Sequence, residues 1–305
     1  MKDRITLPKQ PITDIIPPMI TPFKENGEMD YDAFVRNIEK WNNDQLGGYL
    51  VLGSNSETPY LNEEEKLKLI ELTVQVAKDG MTILAGTGLE STGETIHLTN
   101  KAAKLGAHAA LVLTPFYYGE RMSDKALIHH FTTIADASDI PILIYNVPKF
   151  THLNISADAV RVLSRHPNIV GMKDSKGDVA QLREFLAVVP TEFNLIAGSA
   201  SIWYLSLSCG IQAGILALSN CTPESCAEIQ SLFVAKKYAQ AEELQSRMLS
   251  VNKATTTTYG VAGLKYAATL MGYEGGHVRS PLLEVDDVAK KDIRKILVSA
   301  GLLPD

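Results

Sequence analysis

The sequence is poor in cysteine and has no long hydrophobic run. Its three cysteines, Cys209, Cys221 and Cys226, form no Cys-x-x-Cys pair, which argues against a disulfide framework and a cysteine zinc site. The most apolar segment, 210–220, is too short to span a bilayer. Residues 1–10 lack the apolar core of a secretory signal and the acid-free pattern of a transit peptide. We therefore expect a cytoplasmic protein without a membrane span.

No strongly charged segment is present either. The net charge is -6, the charges are interspersed, and no basic run is available to follow a phosphate backbone. Nucleic acid is therefore not expected as a partner, and a small molecule is. What the chain does have is apolar material, with 45% hydrophobic residues in 305, which is enough for a large core.

Short apolar runs alternate with longer amphipathic segments over most of the chain. This alternation predicts repeated βα units and a parallel sheet. The candidate strands are 15–21, 48–52, 82–85, 109–113, 141–145, 169–173, 194–197 and 213–217. Eight such units close a (β/α)₈ TIM barrel, an α/β fold. We predict a catalytic barrel domain over 1–235 and a C-terminal helical extension over 236–305, with helices at 239–251, 255–270 and 285–300.

In such a barrel the functional site lies at the carboxyl ends of the strands. The only carboxylates offered there are Asp174 and the nearby Glu57. A magnesium site needs several converging carboxylates and a zinc site needs His or Cys, so no metal is expected. The segment 86–88, Gly-Thr-Gly, lacks the lysine of a P-loop and the third glycine of a dinucleotide fingerprint, so no nucleotide is expected.

Lys173 differs from the other lysines because it follows a core strand, whereas they fall on polar helix faces or in loops. Desolvation favours the neutral amine of a lysine among apolar groups, and a neutral amine attacks carbonyl carbons. The chemistry indicated is a Schiff base with a 2-oxo acid. From position alone an alternative has equal weight, in which Lys173 pairs with Asp174 or extends to solvent.

The neighbouring strand ends favour the Schiff base. Tyr145 ends the preceding strand, so its phenol and Lys173 are expected to enter the barrel mouth side by side, close enough for proton transfer to an imine. Ser54 and Asn55 offer hydroxyl, amide and main-chain N–H donors at a strand-to-helix turn, which suits a small carboxylate. Tyr117 lies in an aromatic loop that is either an oligomer contact or a phenol reaching the site, or both.

The chain resembles the dihydrodipicolinate synthase / N-acetylneuraminate lyase family of pyruvate-dependent class I aldolases along nearly its whole length. Four motifs in matching order carry the resemblance: Gly-Ser-Asn-Ser-Glu at 53–57, Thr-Pro-Phe-Tyr-Tyr at 114–118, Tyr-Asn-Val-Pro at 145–148 and Gly-Met-Lys-Asp at 171–174. The resemblance implies a TIM barrel with C-terminal helices, a homotetramer, and neither a metal nor an organic cofactor.

The same resemblance assigns roles to single residues. It makes Lys173 the imine-forming lysine and Tyr145 the residue that shuttles protons. It makes Ser54 a proton relay and Tyr117 a phenol contributed across a subunit contact. The turn at Ser54 and Asn55 would hold the substrate carboxylate, and two further residues would line the pyruvate end of the pocket, Gly198 and Leu216.

Within the family the chain looks most like 4-hydroxy-2-oxoglutarate aldolase, through segments 53–55, 89–92, 117–123, 126–130 and 166–175. Dihydrodipicolinate synthases carry a substrate-binding Arg two residues after the proline of Tyr-Asn-Val-Pro, where this chain has Phe150. Ser56 stands where the family turn has Gly, and His152 where many members have Gly. We expect these three residues to tune specificity.

The first hypothesis is a lyase that cleaves 4-hydroxy-2-oxoglutarate to pyruvate and glyoxylate through an imine on Lys173. One alternative keeps the imine but cleaves or dehydrates a 2-keto-3-deoxy sugar acid. Another condenses pyruvate with an aldehyde, as dihydrodipicolinate synthase does. A distant alternative is a non-catalytic sensor that binds a 2-oxo acid without turnover.

Overall fold

The structure is a computed structural model that describes residues 12–304. It contains eight parallel strands: β1 (Ile15–Ile16), β2 (Gly48–Val51), β3 (Thr82–Gly86), β4 (Ala109–Leu113), β5 (Ile142–Asn146), β6 (Ile169–Asp174), β7 (Asn194–Ala197) and β8 (Ala213–Ile215). They pair in the order β1-β8-β7-β6-β5-β4-β3-β2. The predicted (β/α)₈ barrel is confirmed. Two predictions concern residues outside the described range: that residues 1–10 carry no export signal, and that the barrel domain begins at residue 1.

The first strand is shorter than predicted. β1 covers two residues, because Pro17 and Pro18 have no main-chain N–H to donate to a neighbouring strand. The chain nevertheless closes the barrel beyond them. Leu50 N–H of β2 donates to Pro17 O at 3.0 Å, and Met19 N–H donates to Leu50 O at 2.9 Å. The prediction of a strand over 15–21 is therefore corrected to a short strand followed by an irregular closing segment.

Twelve α-helices are found among residues 12–304. They are α1 (Tyr31–Trp41), α2 (Glu63–Val76), α3 (Thr92–Leu105), α4 (Asp124–Ala137), α5 (Pro148–Thr151), α6 (Ala157–Leu163), α7 (Val179–Leu186), α8 (Trp203–Ser208), α9 (Pro223–Val234), α10 (Tyr238–Asn252), α11 (Gly260–Leu270) and α12 (Asp287–Ser299). Asp30 caps the start of α1, and Asn62 forms a capping box with Glu65 at the start of α2. None of these helices is both long and apolar enough to cross a membrane.

Two apolar layers hold the barrel together. The inner layer fills the space inside the strands, and it includes Leu50, Leu111, Leu143, Tyr145 and Ile196. A much larger outer layer lies between the strands and the surrounding helices and continues into the C-terminal helices. The inner layer forms the floor beneath the carboxyl ends of the strands, and Tyr145 lies at its upper edge.

The C-terminal extension differs from the prediction in one place. The helix expected at 255–270 begins only at Gly260, because Lys253–Thr258 continues α10 as a π-helix. Gly260 then takes a left-handed φ of 57°, which glycine adopts without steric cost. The division between 1–235 and 236–305 remains a prediction. The structure adds that α9 ends at Val234 and α10 begins at Tyr238.

Candidate active site

Lys173 and Tyr145 form the centre of the site. They are paired partners in the β5 and β6 register, so their side chains lie on the same face of the sheet. Lys173 Nζ lies 4.3 Å from the centre of the Tyr145 ring. Lys173 is 3% exposed and Tyr145 is 6% exposed. The two strands thus bring a primary amine and a phenol together inside the barrel mouth, as expected from the sequence.

Lys173 does not pair with Asp174. Asp174 points to the opposite face, where its Oδ1 accepts from Asn146 Nδ2 at 2.7 Å and from Gln181 Nε2 of α7 at 3.1 Å. Burial raises the pKa of this carboxyl, and those hydrogen bonds act in the opposite direction. In the described part of the chain, Lys173 Nζ lies over the Tyr145 ring and makes no hydrogen bond or ion pair with a protein group. Lys173 therefore neither pairs with Asp174 nor extends to solvent, and the alternative predicted from its position alone is wrong.

Ser54 reaches the same centre from β2. Its Oγ lies 3.2 Å from Tyr145 Oη, and either group can be the donor. Ser54 and Asn55 lie in a short 3₁₀ helix after β2. Within residues 12–304 their main-chain N–H groups donate to no protein acceptor, so both are free for an anion. The predicted hydroxyl, phenol and amine are all brought together.

Gly198 and Leu216 follow β7 and β8. Gly198 N–H donates to Asp174 O at 2.7 Å, and a Cβ on Gly198 would lie 2.0 Å from Ser175 Oγ. Only glycine fits this close approach beside the end of β6. Leu216 is fully buried directly after β8. Both residues lie at the carboxyl ends of the strands, as expected, and their contact with a substrate remains a prediction.

Tyr117 lies apart from this centre in the single chain. It is 75% exposed, its neighbour Tyr118 is 70% exposed, and their rings are 5.0 Å apart in an edge-to-face arrangement. The loop is fixed by Glu90, whose Oε2 accepts from Phe116 N–H at 3.0 Å and from Tyr117 N–H at 2.9 Å. Glu90 lies in segment 89–92, and nothing in the sequence of that segment predicts this role.

The three proposed specificity residues occupy different environments. Ser56 is buried, and its hydroxyl donates to Met19 O at 2.6 Å, so it anchors the turn to the segment after β1. Phe150 is 52% exposed on α5. His152 ends α5 with a left-handed φ of 55°, a conformation that glycine adopts more easily. Phe150 and His152 flank the segment after β5, whereas Ser56 is directed into the protein.

Two polar networks behind the site were missed by sequence analysis. Asn146 of the Tyr-Asn-Val-Pro motif also donates to Asn154 Oδ1 at 2.9 Å and accepts from Ile155 N–H at 3.1 Å. It thereby ties the segment after β5 to Asp174. The second network joins Glu57 to Lys265 of α11. A sequence indication existed, since Lys265 is the only charged residue in the apolar helix Gly260–Leu270.

Metal ligands do not gather at the strand ends. The described residues contain no group of three or more His, Cys, Asp or Glu side chains that could hold a metal ion. The polar groups around Lys173 and Tyr145 are instead the Ser54 hydroxyl and the main-chain N–H groups of Ser54 and Asn55. Two more hydroxyls near strand ends, Thr21 Oγ1 and Thr114 Oγ1, are buried without a hydrogen-bond partner in the described chain.

A closed parallel barrel with a buried, unpaired lysine at the end of β6 and a phenol at the end of β5 has the architecture of the class I aldolases. The chain matches the dihydrodipicolinate synthetase family over residues 11–300. It belongs to that family, whose members are enzymes of the pyruvate-dependent class I aldolase type.

Individual relatives agree with this assignment. The 4-hydroxy-tetrahydrodipicolinate synthase of Ruegeria pomeroyi is 33% identical over 291 residues, which cover 94% of this chain and 98% of the relative. The dihydrodipicolinate synthase of Acinetobacter baumannii, solved in complex with pyruvate, is 28% identical with a TM-score of 0.89, covering 96% of this chain and 100% of that one. A monomeric dihydrodipicolinate synthase variant is 26% identical with a TM-score of 0.90, covering 99% and 100%. These relatives carry the name of the condensing alternative rather than that of the aldolase expected first.

Proposed function

We propose that the protein is a pyruvate-dependent class I aldolase in which Lys173 forms an imine with C2 of pyruvate or of a 2-oxo acid. The observation that carries the proposal is the position of Lys173 Nζ, which is buried, makes no hydrogen bond or ion pair with a described residue and lies 4.3 Å from the centre of the Tyr145 ring. An amine in this position can add to the carbonyl carbon of a bound 2-oxo acid.

The reaction follows from three groups. The Lys173 amine adds to the C2 carbonyl, and loss of water gives the imine. The imine withdraws electrons from C3, so that the C3–C4 bond can form or break through an enamine. Tyr145 Oη carries protons between substrate oxygen and the Ser54 hydroxyl, which lies 3.2 Å away.

The carboxylate of pyruvate is bound by the turn at Ser54 and Asn55. Their free main-chain N–H groups supply two donors, and N–H groups in a turn bind anions well. Gly198 and Leu216, which follow β7 and β8, are expected to line the pyruvate end. The proposed reaction requires no cofactor, because the protonated imine formed on Lys173 is itself the electron-withdrawing group.

Three reactions are open for the second substrate. The relatives named 4-hydroxy-tetrahydrodipicolinate synthase favour a condensation. In that reaction pyruvate combines with an amino-acid semialdehyde to give the product for which these relatives are named. Phe150 stands where the resemblance places the substrate-binding Arg of the synthases, which weakens that condensation. The apolar ring also offers no polar contact to a second carboxylate, so cleavage of a 2-keto-3-deoxy sugar acid stands beside cleavage of 4-hydroxy-2-oxoglutarate to pyruvate and glyoxylate. A panel of aldehydes, each assayed for pyruvate consumed or released, decides between them. Pyruvate binding without turnover on any aldehyde would contradict an enzyme and leave a sensor.

The exposed Tyr117 loop supports a homotetramer in which each phenol completes a neighbouring site. In the single chain Tyr117 makes no hydrogen bond to Lys173, Tyr145 or Ser54 within the described residues. Its phenol is three-quarters exposed, and an aromatic pair of this kind is well suited to an interface. Sedimentation of the purified protein tests the tetramer.

A further inference from the structure

A buried ion pair connects the C-terminal extension to the turn that presents Ser54 and Asn55. Lys265 Nζ of α11 lies 2.5 Å from Glu57 Oε1, and the two side chains are 2% and 1% exposed. Lys265 also donates to His277 O. Glu57 belongs to the barrel and directly follows the 3₁₀ helix Ser54–Ser56, so the contact crosses from one part of the chain to the other.

The second carboxylate oxygen of Glu57 is held by the extension as well. Glu57 Oε2 accepts from Arg279 N–H at 2.8 Å. The Arg279 guanidinium in turn donates to Glu65 at 2.7 Å and to Gly27 O at 3.0 Å. The Phe23 ring lies under both cations, 4.6 Å from Lys265 Nζ and 4.3 Å from Arg279 Cζ. Both Glu57 oxygens are therefore fixed by groups outside the barrel strands.

The turn held by this network has an unusual backbone. Leu52 and Glu57, on either side of it, have left-handed φ angles of 62° and 53°. Residues other than glycine adopt this conformation only where the surroundings impose it. Buried ion pairs add little net stability compared with apolar replacements. The contact is thus better suited to fixing the position of the turn than to stabilising the fold.

We propose that Lys265 is a positioning residue that acts through Glu57 to aim the Ser54 and Asn55 N–H groups at the substrate carboxylate. The inference rests on the proposed pyruvate imine. The C-terminal extension then contributes to the site. Loss of the ion pair between Lys265 and Glu57 weakens pyruvate binding and leaves imine formation at saturating pyruvate unchanged.

The test measures borohydride-trapped adduct on Lys173 as a function of pyruvate concentration. Two variants are compared with the wild type. The double variant Glu57→Gln/Lys265→Met removes both buried charges together and leaves neither unpaired. Glu57→Asp keeps the charge and tolerates the left-handed backbone, but it draws the carboxylate back from Lys265. Arg36→Met is the matched control, since it removes an exposed ion pair to Glu274 that also joins barrel and extension.

The half-saturating pyruvate concentration is expected to rise about tenfold in each folded variant, the effect of losing one well-placed hydrogen bond to an anion. Maximal labelling at saturating pyruvate stays at the wild-type level, and Arg36→Met changes neither quantity. Half-saturation within about twofold of wild type in Glu57→Asp overturns the proposal, whatever happens to the melting temperature. A loss of maximal labelling while the half-saturating pyruvate concentration is unchanged also overturns the proposal. Absence of adduct in the wild type contradicts the imine itself, which separates the two failures.

Discussion

Ser54 Oγ and Tyr145 Oη lie 3.2 Å apart, although 91 residues separate them in sequence. The contact joins β2 to β5 across the barrel mouth and gives the Tyr145 phenol a partner for proton exchange. Replacement of Tyr145 by Phe keeps the ring beside Lys173 and removes only the hydroxyl. We expect turnover to fall about 10²- to 10⁴-fold, as for the loss of a general acid–base group.

Steady-state assays with the best aldehyde, alongside borohydride trapping, check this prediction for Tyr145→Phe. Ser54→Thr serves as the control because it retains the hydroxyl. A Tyr145→Phe enzyme with wild-type turnover would exclude the phenol from the proton relay.

The role of Tyr117 can be tested by mixing subunits. Tyr117→Phe and Lys173→Ala damage different subunits of a site that is shared between chains. After joint unfolding and refolding, we expect recovery of about a quarter of wild-type activity, because half of randomly assembled dimers are hybrids and each hybrid has one intact site. If the mixture gives only the average of the two variants, Tyr117 does not act across the contact.

Phe150 is predicted to limit the binding of a second carboxylate. The side chain is half exposed on α5, so Phe150→Arg can be accommodated without a buried charge. We expect the half-saturating concentration of a carboxylate-bearing aldehyde to fall about tenfold, since a guanidinium binds carboxylate in a bidentate fashion. Phe150→Leu is the control and should leave this value unchanged. An unchanged value in Phe150→Arg as well would remove Phe150 from the specificity residues.

Buried His130 is expected to lower the free energy of unfolding at acid pH. Burial lowers the pKa of this imidazole from 6.5 to about 4, and Nδ1 lies 2.8 Å from Thr92 Oγ1. Below pH 6.5 the unfolded chain takes up a proton that the folded chain resists. Stability is thus kept above pH 6.5 and lost as the pH falls towards 4, by about 3 kcal/mol from this group.

Denaturant unfolding of wild type and His130→Asn between neutral pH and pH about 4 checks the sign. Asn offers a group to Thr92 but does not titrate, so the stability difference should shift in favour of the variant as the pH falls. Asp44, whose pKa burial raises to about 6, acts in the opposite direction and cancels in the difference. Parallel curves for the two proteins would contradict the prediction.

The alternation of apolar runs predicted eight strands because each strand of the barrel is covered by a helix that is close to it in sequence. Each strand and its helix therefore form one local pattern. The lysine at the end of β6 was visible for the same reason: a charged residue at the end of an apolar run stands out. The direction of Asp174 was less obvious. Once Lys173 is known to lie beside Tyr145 inside the barrel mouth, the alternation of side chains along β6 places Asp174 on the outer face.

The contacts that could not be predicted join distant segments. Lys265 and Glu57 are 208 residues apart, and no periodicity links them. Glu90 holds the Tyr117 loop through main-chain N–H groups, which leave no mark on the sequence of the loop. The shortened β1 was foreseeable, since Pro17 and Pro18 cannot donate to a ladder.

The imine on Lys173 is tested most directly by incubating the protein with pyruvate and borohydride and mapping the modified peptide by mass spectrometry. We expect one reduced pyruvate adduct on Lys173, none on the exposed neighbour Lys176, and none at all in Lys173→Arg. An unmodified Lys173 at saturating pyruvate, in a protein that is folded, would contradict the imine.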